Sequence, residues 1–336
     1  MYCVNPRRSL PRRAGVTLIE ALVVLAVISL LTAIAGPAVM RARAAAHQIQ
    51  CANRLKQIGL AAHEHETLHR RIPVSVESAM FPSAVSPFAV LLPFLDQGDV
   101  YERIELQDHF QLSPNGRPVP QSSANSDLLE LQIPAFVCPS DSVPTGGISY
   151  RMCAGTTPGH HQSIGVDGPD AALAGIVSLA GESFSGIVDG TSYTVMFSER
   201  LVGDRDPSVY SPRRDVVTQV SGQPPYPFRT AGDAFSACSL RWSQVNSHSS
   251  WSGASWLVHG YQSTLYNHVL GPNSTIPDCT EGIVEHLGAF SARSNHSGYV
   301  NVVLADGSGR AVSEQIDLTV WRALGTIAGN EVIDEY

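Results

Sequence analysis

Charge is scarce in this chain. Only 15% of its 336 residues are Asp, Glu, Lys or Arg, and the twenty residues from Ala21 to Met40 contain none. The first fifteen residues hold no acid, only Arg7, Arg8, Arg12 and Arg13. Signatures of catalysis are missing as well: there is no GxSxG nucleophile elbow, no phosphate-cradling Gly-Lys loop and no dinucleotide fingerprint. The expectation is a non-enzymatic protein that needs no cofactor. No internal repeat is visible. Loss of the four leading arginines would take the net charge from −8 to about −12, and phosphate repels a protein that acidic, so nucleic acid is not expected as a partner.

Glycine and proline are abundant instead, 28 and 22 residues in a chain that is 43% apolar. That is enough apolar matter for a core, cut into short runs by turn formers, so the body should be strand-rich and loop-rich rather than a helical bundle. Of six cysteines, Cys3 lies in the leading segment. The other five are Cys51, Cys138, Cys153, Cys238 and Cys279. Outside the cytoplasm they could form two disulfides in any of about fifteen pairings, with one thiol left over.

The uncharged stretch 21–40 is long enough to cross a bilayer as a helix. A basic flank before it marks a cytoplasmic N-terminus, although Arg41 and Arg43 follow closely. A cleaved secretory signal, an uncleaved anchor and a prepilin-type leader all present such a stretch. Pro37 lies inside it, where a proline removes a hydrogen bond and kinks a helix. Beyond it, Cys51, Leu55, Ile58 and Ala62 recur at helical steps. The spacing predicts one long helix over 16–72, transmembrane over about 18–40, followed by a globular head over 73–336 with an antiparallel sheet: an α+β chain.

The residues Arg12-Arg13-Ala14-Gly15-Val16-Thr17-Leu18-Ile19-Glu20 resemble the type IV prepilin and pseudopilin signature. The resemblance implies a leader of residues 1–15, cut by a prepilin peptidase after Gly15, and methylation of the new N-terminal Val16, where the family usually has Phe. It implies a single-pass protein of the cytoplasmic membrane with its head outside, in contact with membrane lipid and with other pilin-like subunits of a type IV pilus or type II secretion-like filament. A carboxylate in a bilayer costs on the order of 2.5–3.5 kcal/mol, so Glu20 needs a partner. The resemblance offers the amine of a neighbouring subunit; the plainer alternative is a Glu facing headgroups.

His65-Glu66-Thr67-Leu68-His69 matches the zinc-protease pattern HExxH. It stands at the end of the long helix without a third ligand, and a solvent-facing polar helix end is the expectation. In the head, Ile133–Val137, Tyr193–Phe197 and Val300–Leu304 read as strands, residues 204–232 as an exposed loop, Asp306-Gly307 as a hairpin turn and Ile316–Ile327 as a short helix. Trp242, Trp251 and Trp256 cluster in sequence, where they serve as core anchors or as a glycan-stacking surface.

Leu55-Lys56-Gln57-Ile58-Gly59-Leu60, Leu91-Leu92-Pro93-Phe94-Leu95, Cys138-Pro139-Ser140-Asp141, Asp189-Gly190-Thr191-Ser192 and Tyr266–Ser274 together resemble a domain family of unknown function, expanded in planctomycete bacteria, with prepilin-type N-termini. Its C-terminal motif, His followed by nine residues and Asp-Gly, is His296 through Asp306-Gly307. Tyr193 departs from the family's usual Asn. His296, Asp306 and Asp189 have two readings. They could form a head site in which carboxylates hold Ca²⁺, or Asp306 and Gly307 simply make the turn while His296 braces backbone.

Overall fold

The computed structural model describes residues 17–331, apart from 74–75, 79–80, 114, 122, 142–143, 159–172, 179–182, 219–229, 242–246 and 281–286. The leader, Gly15, Val16 and Trp242 lie outside the described residues. Two compact units emerge, Met1–Ala46 and His47–Tyr336.

One helix, α1 (Leu18–His69), runs without interruption through Pro37. It starts in a reciprocal capping box. The Thr17 hydroxyl accepts from the Glu20 N–H at 3.3 Å, and the Glu20 carboxylate accepts from the Thr17 N–H at 2.8 Å. Two donors that a helix start would leave bare are satisfied in this way. The helix stops where Arg70 turns left-handed (φ 59°), just ahead of Pro73, which cannot continue it. Residues 17–46 are exposed throughout. From Cys51 onward one stripe is buried: Cys51, Leu55, Ile58, Gly59, Ala61, Ala62 and His65. The expected stripe is thus the face that packs.

After α1 the chain forms β1 (Val76–Ser78) and β2 (Phe81–Val85), the short helices α2 (Pro87–Val90) and α3 (Gly98–Tyr101), and a small pair of β3 (Phe110–Leu112) and β4 (Pro118–Pro120). β5 (Tyr150–Cys153), β6 (Val195–Glu199) and β7 (Val216–Val217) precede α4 (Ala231–Arg241). Then come β8 (His248–Ser249), β9 (Leu265–Tyr266), β10 (Asp278–Thr280), β11 (Gly288–Ala289), the hairpin β12 (Tyr299–Leu304) and β13 (Gly309–Ser313), and α5 (Leu318–Ala323).

The main sheet has the order β13-β12-β6-β5-β9. It is antiparallel except for the β5–β9 pair, which is parallel. β12 and β6 are buried almost end to end, so apolar residues follow one another without alternation at 195–197 and 302–304, and the polar Glu199 and Asn301 are buried beside them. α1 packs against β12, with Gly59 against Val303. Burying Leu55 and Ile58 in the core contributes roughly 1.5–3 kcal/mol each. A second sheet, β11-β10-β7-β8, carries α4, with Ala234, Ala237 and Cys238 in its own apolar cluster.

Four expectations need correction. The helix expected over Ile316–Ile327 is only Leu318–Ala323, capped by Asp317. Residues 133–137 are not a strand: Pro134–Phe136 is a 3-10 turn, because Pro134 has no N–H to give a ladder. The segment 204–232 is not all exposed loop, since Val216–Val217 form the buried strand β7. The expected strand at Tyr193–Phe197 begins two residues later, at Val195, because Tyr193 still belongs to the turn at Gly190 (φ +96°).

Candidate functional site

Cys51 on α1 is bonded to Cys138 in the loop after the Pro134–Phe136 turn. Beside this disulfide, His296 Nε2 lies 3.9 Å from Cys138 Sγ and donates to Glu199 Oε1 at 3.0 Å. One ligand atom from each of Cys51, Cys138, Glu199 and His296 falls within 4.8 Å of the others, and all four residues are buried. Each comes from a different place: α1, a loop, the end of β6, and the loop leading into β12. Glu199 is held from its far side, with Oε2 accepting from the Asn301 N–H at 2.9 Å and Oε1 from Asn301 Nδ2 at 3.1 Å. The His296 ring stacks on Tyr299, centroids 5.3 Å apart. Tyr150 donates its hydroxyl to the Cys51 carbonyl.

His296 and Asp306 therefore do not share a site. They bracket β12, whose six residues span about 20 Å at strand rise. Asp306 forms a turn: its Oδ1 accepts from the Ser308 N–H at 2.8 Å, and Gly307 takes φ +82°. Burial would raise the Asp306 pKa, but hydrogen bonds from Ser308 outweigh it and lower it. The loop of Asp189 and Gly190 does meet this turn, since the Asp306 N–H donates to Thr191 O. Asp189 itself points elsewhere. Its carboxylate accepts from the N–H groups of Gly329 and Asn330, both at 2.8 Å, and from Thr326 Oγ1 at 2.9 Å. It fastens the segment after α5, and Asp189 and Asp306 are each engaged in such capping bonds rather than converging.

At the end of α1, the His65 and His69 rings lie 4.5 Å apart, and both pack edge-on to Phe94. His65 Nδ1 bonds the Arg71 carbonyl at 3.1 Å. Burial, with the neighbouring His69 adding to it, pushes the His65 pKa down to about 4. His65 is thus buried, not solvent-facing as the sequence suggests, because it packs against Phe94 at the helix end.

The tryptophans separate as well. Trp256 is fully buried and donates Nε1 to Leu131 O, so it is a core anchor. Trp251 lines an open cleft of about 380 Å³ with Arg117, Glu130 and Arg205. Both guanidiniums lie over its ring, at 5.2 and 5.3 Å.

Sequence reasoning missed two features. Glu199 carried no motif; only the fact that a buried His needs a partner could have prompted a search for it. The other is a buried ionic network: Asp278 is paired with Arg293 at 3.0 Å and with Arg200, all three fully buried. The Thr17–Glu20 capping box was missed too, although the pattern Thr17-x-x-Glu20 was there to signal it.

A family described as a protein of unknown function (DUF1559) matches residues 40–319, and a prokaryotic N-terminal methylation motif matches residues 10–36. No curated protein and no solved structure matches. His296, Glu199, the Cys51–Cys138 bond and the Asp306 turn all fall inside the first of these spans, and the apolar start of α1 inside the second: the chain is a membrane-anchored, prepilin-like protein that belongs to the DUF1559 family.

Proposed function

We propose that the mature chain is a pilin-like structural subunit without catalytic function. A prepilin peptidase cuts it after Gly15, α1 anchors it in the cytoplasmic membrane, and it assembles with other pilin-like subunits through that helix. The observation that carries this reading is the exposure of residues 17–46, among them Leu18 at 78% and Ile34 at 67%. So long an apolar surface needs lipid or neighbouring helices to cover it. Two disulfides, Cys51–Cys138 and Cys238–Cys279, fit a head outside the cytoplasm.

Glu20 tests the assembly step. Its capping bond to Thr17 needs only an oxygen acceptor, which glutamine also supplies. Pairing with a neighbouring subunit's amine needs the charge. Glu20→Gln should therefore leave membrane insertion intact and abolish shear-pelletable assemblies, as Glu20→Ala should too. If Glu20→Gln assembles like the unaltered protein, Glu20 is only a cap and the assembly reading fails.

The Trp251 cleft favours a second reading, a pilin-anchored binding protein of the cell surface. Two guanidiniums over one indole suit an acidic sugar. Glycan-array binding that disappears in Trp251→Ala would establish it, and silence on every acidic glycan would retire it.

A further inference from the structure

We propose that the Cys51–Cys138 junction is a Zn²⁺ site whenever the two cysteines are reduced. The ligands are Cys51 Sγ, Cys138 Sγ, His296 Nε2 and Glu199 Oε1. Zinc and the disulfide are then alternative closures of one junction, the one that ties the second half of α1 to the Cys138 loop.

The donor set suits the ion. Zinc takes four ligands in a tetrahedron, with sulfur at about 2.3 Å and nitrogen or oxygen at about 2.0–2.2 Å. Such a tetrahedron has edges of about 3.3–3.8 Å. The Cys138–His296 and His296–Glu199 separations are 3.9 and 3.0 Å, and all four donor atoms lie within 4.8 Å of one another. The two sulfurs must part to non-bonded distance, by side-chain rotation at Cys51 and Cys138, and the other donors need shift by about 1 Å or less to reach those edges. The surroundings are those of a metal site: the carboxylate is oriented by Asn301, the imidazole is fixed by Tyr299, and bulk water is excluded.

The chemistry balances with a dithiol or phosphine as reductant. Two electrons from it break the sulfur–sulfur bond, and two protons make the thiols. Binding Zn²⁺ releases both thiol protons to solvent. His296 coordinates as the neutral ring, with its proton on Nδ1, and its former bond to Glu199 Oε1 is replaced by the shared ion.

The test uses the full mature chain in detergent, reduced with a phosphine and offered Zn²⁺, or Co²⁺ as a spectroscopic stand-in. The expected result is one metal per chain, thiolate-to-cobalt charge-transfer bands, and protection of Cys51 and Cys138 from alkylation. His296→Ala should weaken binding at least tenfold. A Cys238→Ser/Cys279→Ser variant and a His65→Ala/His69→Ala variant should both bind as the unaltered chain does. A folded, reduced chain that takes up no metal would overturn the proposal. So would binding that His296→Ala leaves unchanged, or that the histidine pair of α1 controls. Should the reduced chain unfold, Zn²⁺ alone must restore its circular dichroism, and failure to do so also counts against the site.

Discussion

Gly59 on α1 faces Val303 on β12 so closely that a Cβ at position 59 would stand 2.5 Å from Val303 Cγ1. Val303 is fully buried and β-branched, so it has little freedom to give way. A missing side chain is what lets the helix reach the sheet.

Gly59→Val should therefore destabilise the head by about 1–3 kcal/mol, the usual cost of overpacking. The gain in helix propensity from losing a glycine, less than about 1 kcal/mol, does not offset it. Urea unfolding of the mature chain in detergent, followed by tryptophan fluorescence, measures the change. An unchanged midpoint would mean that α1 does not press on β12.

Of the five mature cysteines, Cys153 is the one that carries no disulfide. Burial drives its thiol pKa up to about 12, so the reactive thiolate is absent at neutral pH. Native mature protein should resist iodoacetamide and yield one alkylated thiol per chain once denatured. Peptide mapping should then show Cys51 joined to Cys138 and Cys238 to Cys279. Labelling of Cys153 in the native state would contradict its burial.

Among the described residues, Asp278 is the one carboxylate paired directly with Arg200 and Arg293. Burial alone would raise its pKa, but the two guanidiniums and the Ser291 hydroxyl overcome that and bring it down to about 2. A depressed acid stabilises the fold above its ordinary value near 3.8, and that contribution fades as pH falls towards 2. Asp278→Asn leaves two buried cations without their partner and should cost about 3–5 kcal/mol. Thermal melting of the variant at neutral pH checks this; a loss under about 1 kcal/mol would show that the arginines find other partners.

His268 stacks on Trp321 with ring centroids 3.7 Å apart. Burial holds its pKa down to about 3, against an ordinary value of 6.5. Between those values the unfolded chain takes up a proton that the folded one refuses. The contribution is therefore whole above pH 6.5 and shrinks by about 1.4 kcal/mol per pH unit below it. Asp215 opposes this: burial raises it to about 7, so across pH 4–7 it favours the fold on acidification. Asp215→Asn should steepen the acid loss of stability, and His268→Gln should flatten it. Parallel stability profiles for the three proteins would refute the assignment.

How much was legible beforehand depends on distance along the chain. Everything that rests on neighbours within a turn or two could be read: the apolar span after Gly15, the stripe Cys51-Leu55-Ile58-Ala62, the stop before Pro73, and the Asp306-Gly307 hairpin. Those features follow from local sterics, periodicity and hydrogen bonding, which residue order alone determines. Glu20 was legible as an oddity, but its bond to Thr17 emerged only in the structure. The tertiary structure decided what residue order leaves open. It chose one of many cysteine pairings. It separated His296 from Asp306, which nine intervening residues had made look like a single motif. It gave His296 a partner 97 positions away, Glu199, and placed both beside a bond that closes a span of 87. Such contacts depend on which strands lie side by side. β6 and β12 become neighbours only when the whole sheet and α1 bury their apolar faces together, and no local signal records that.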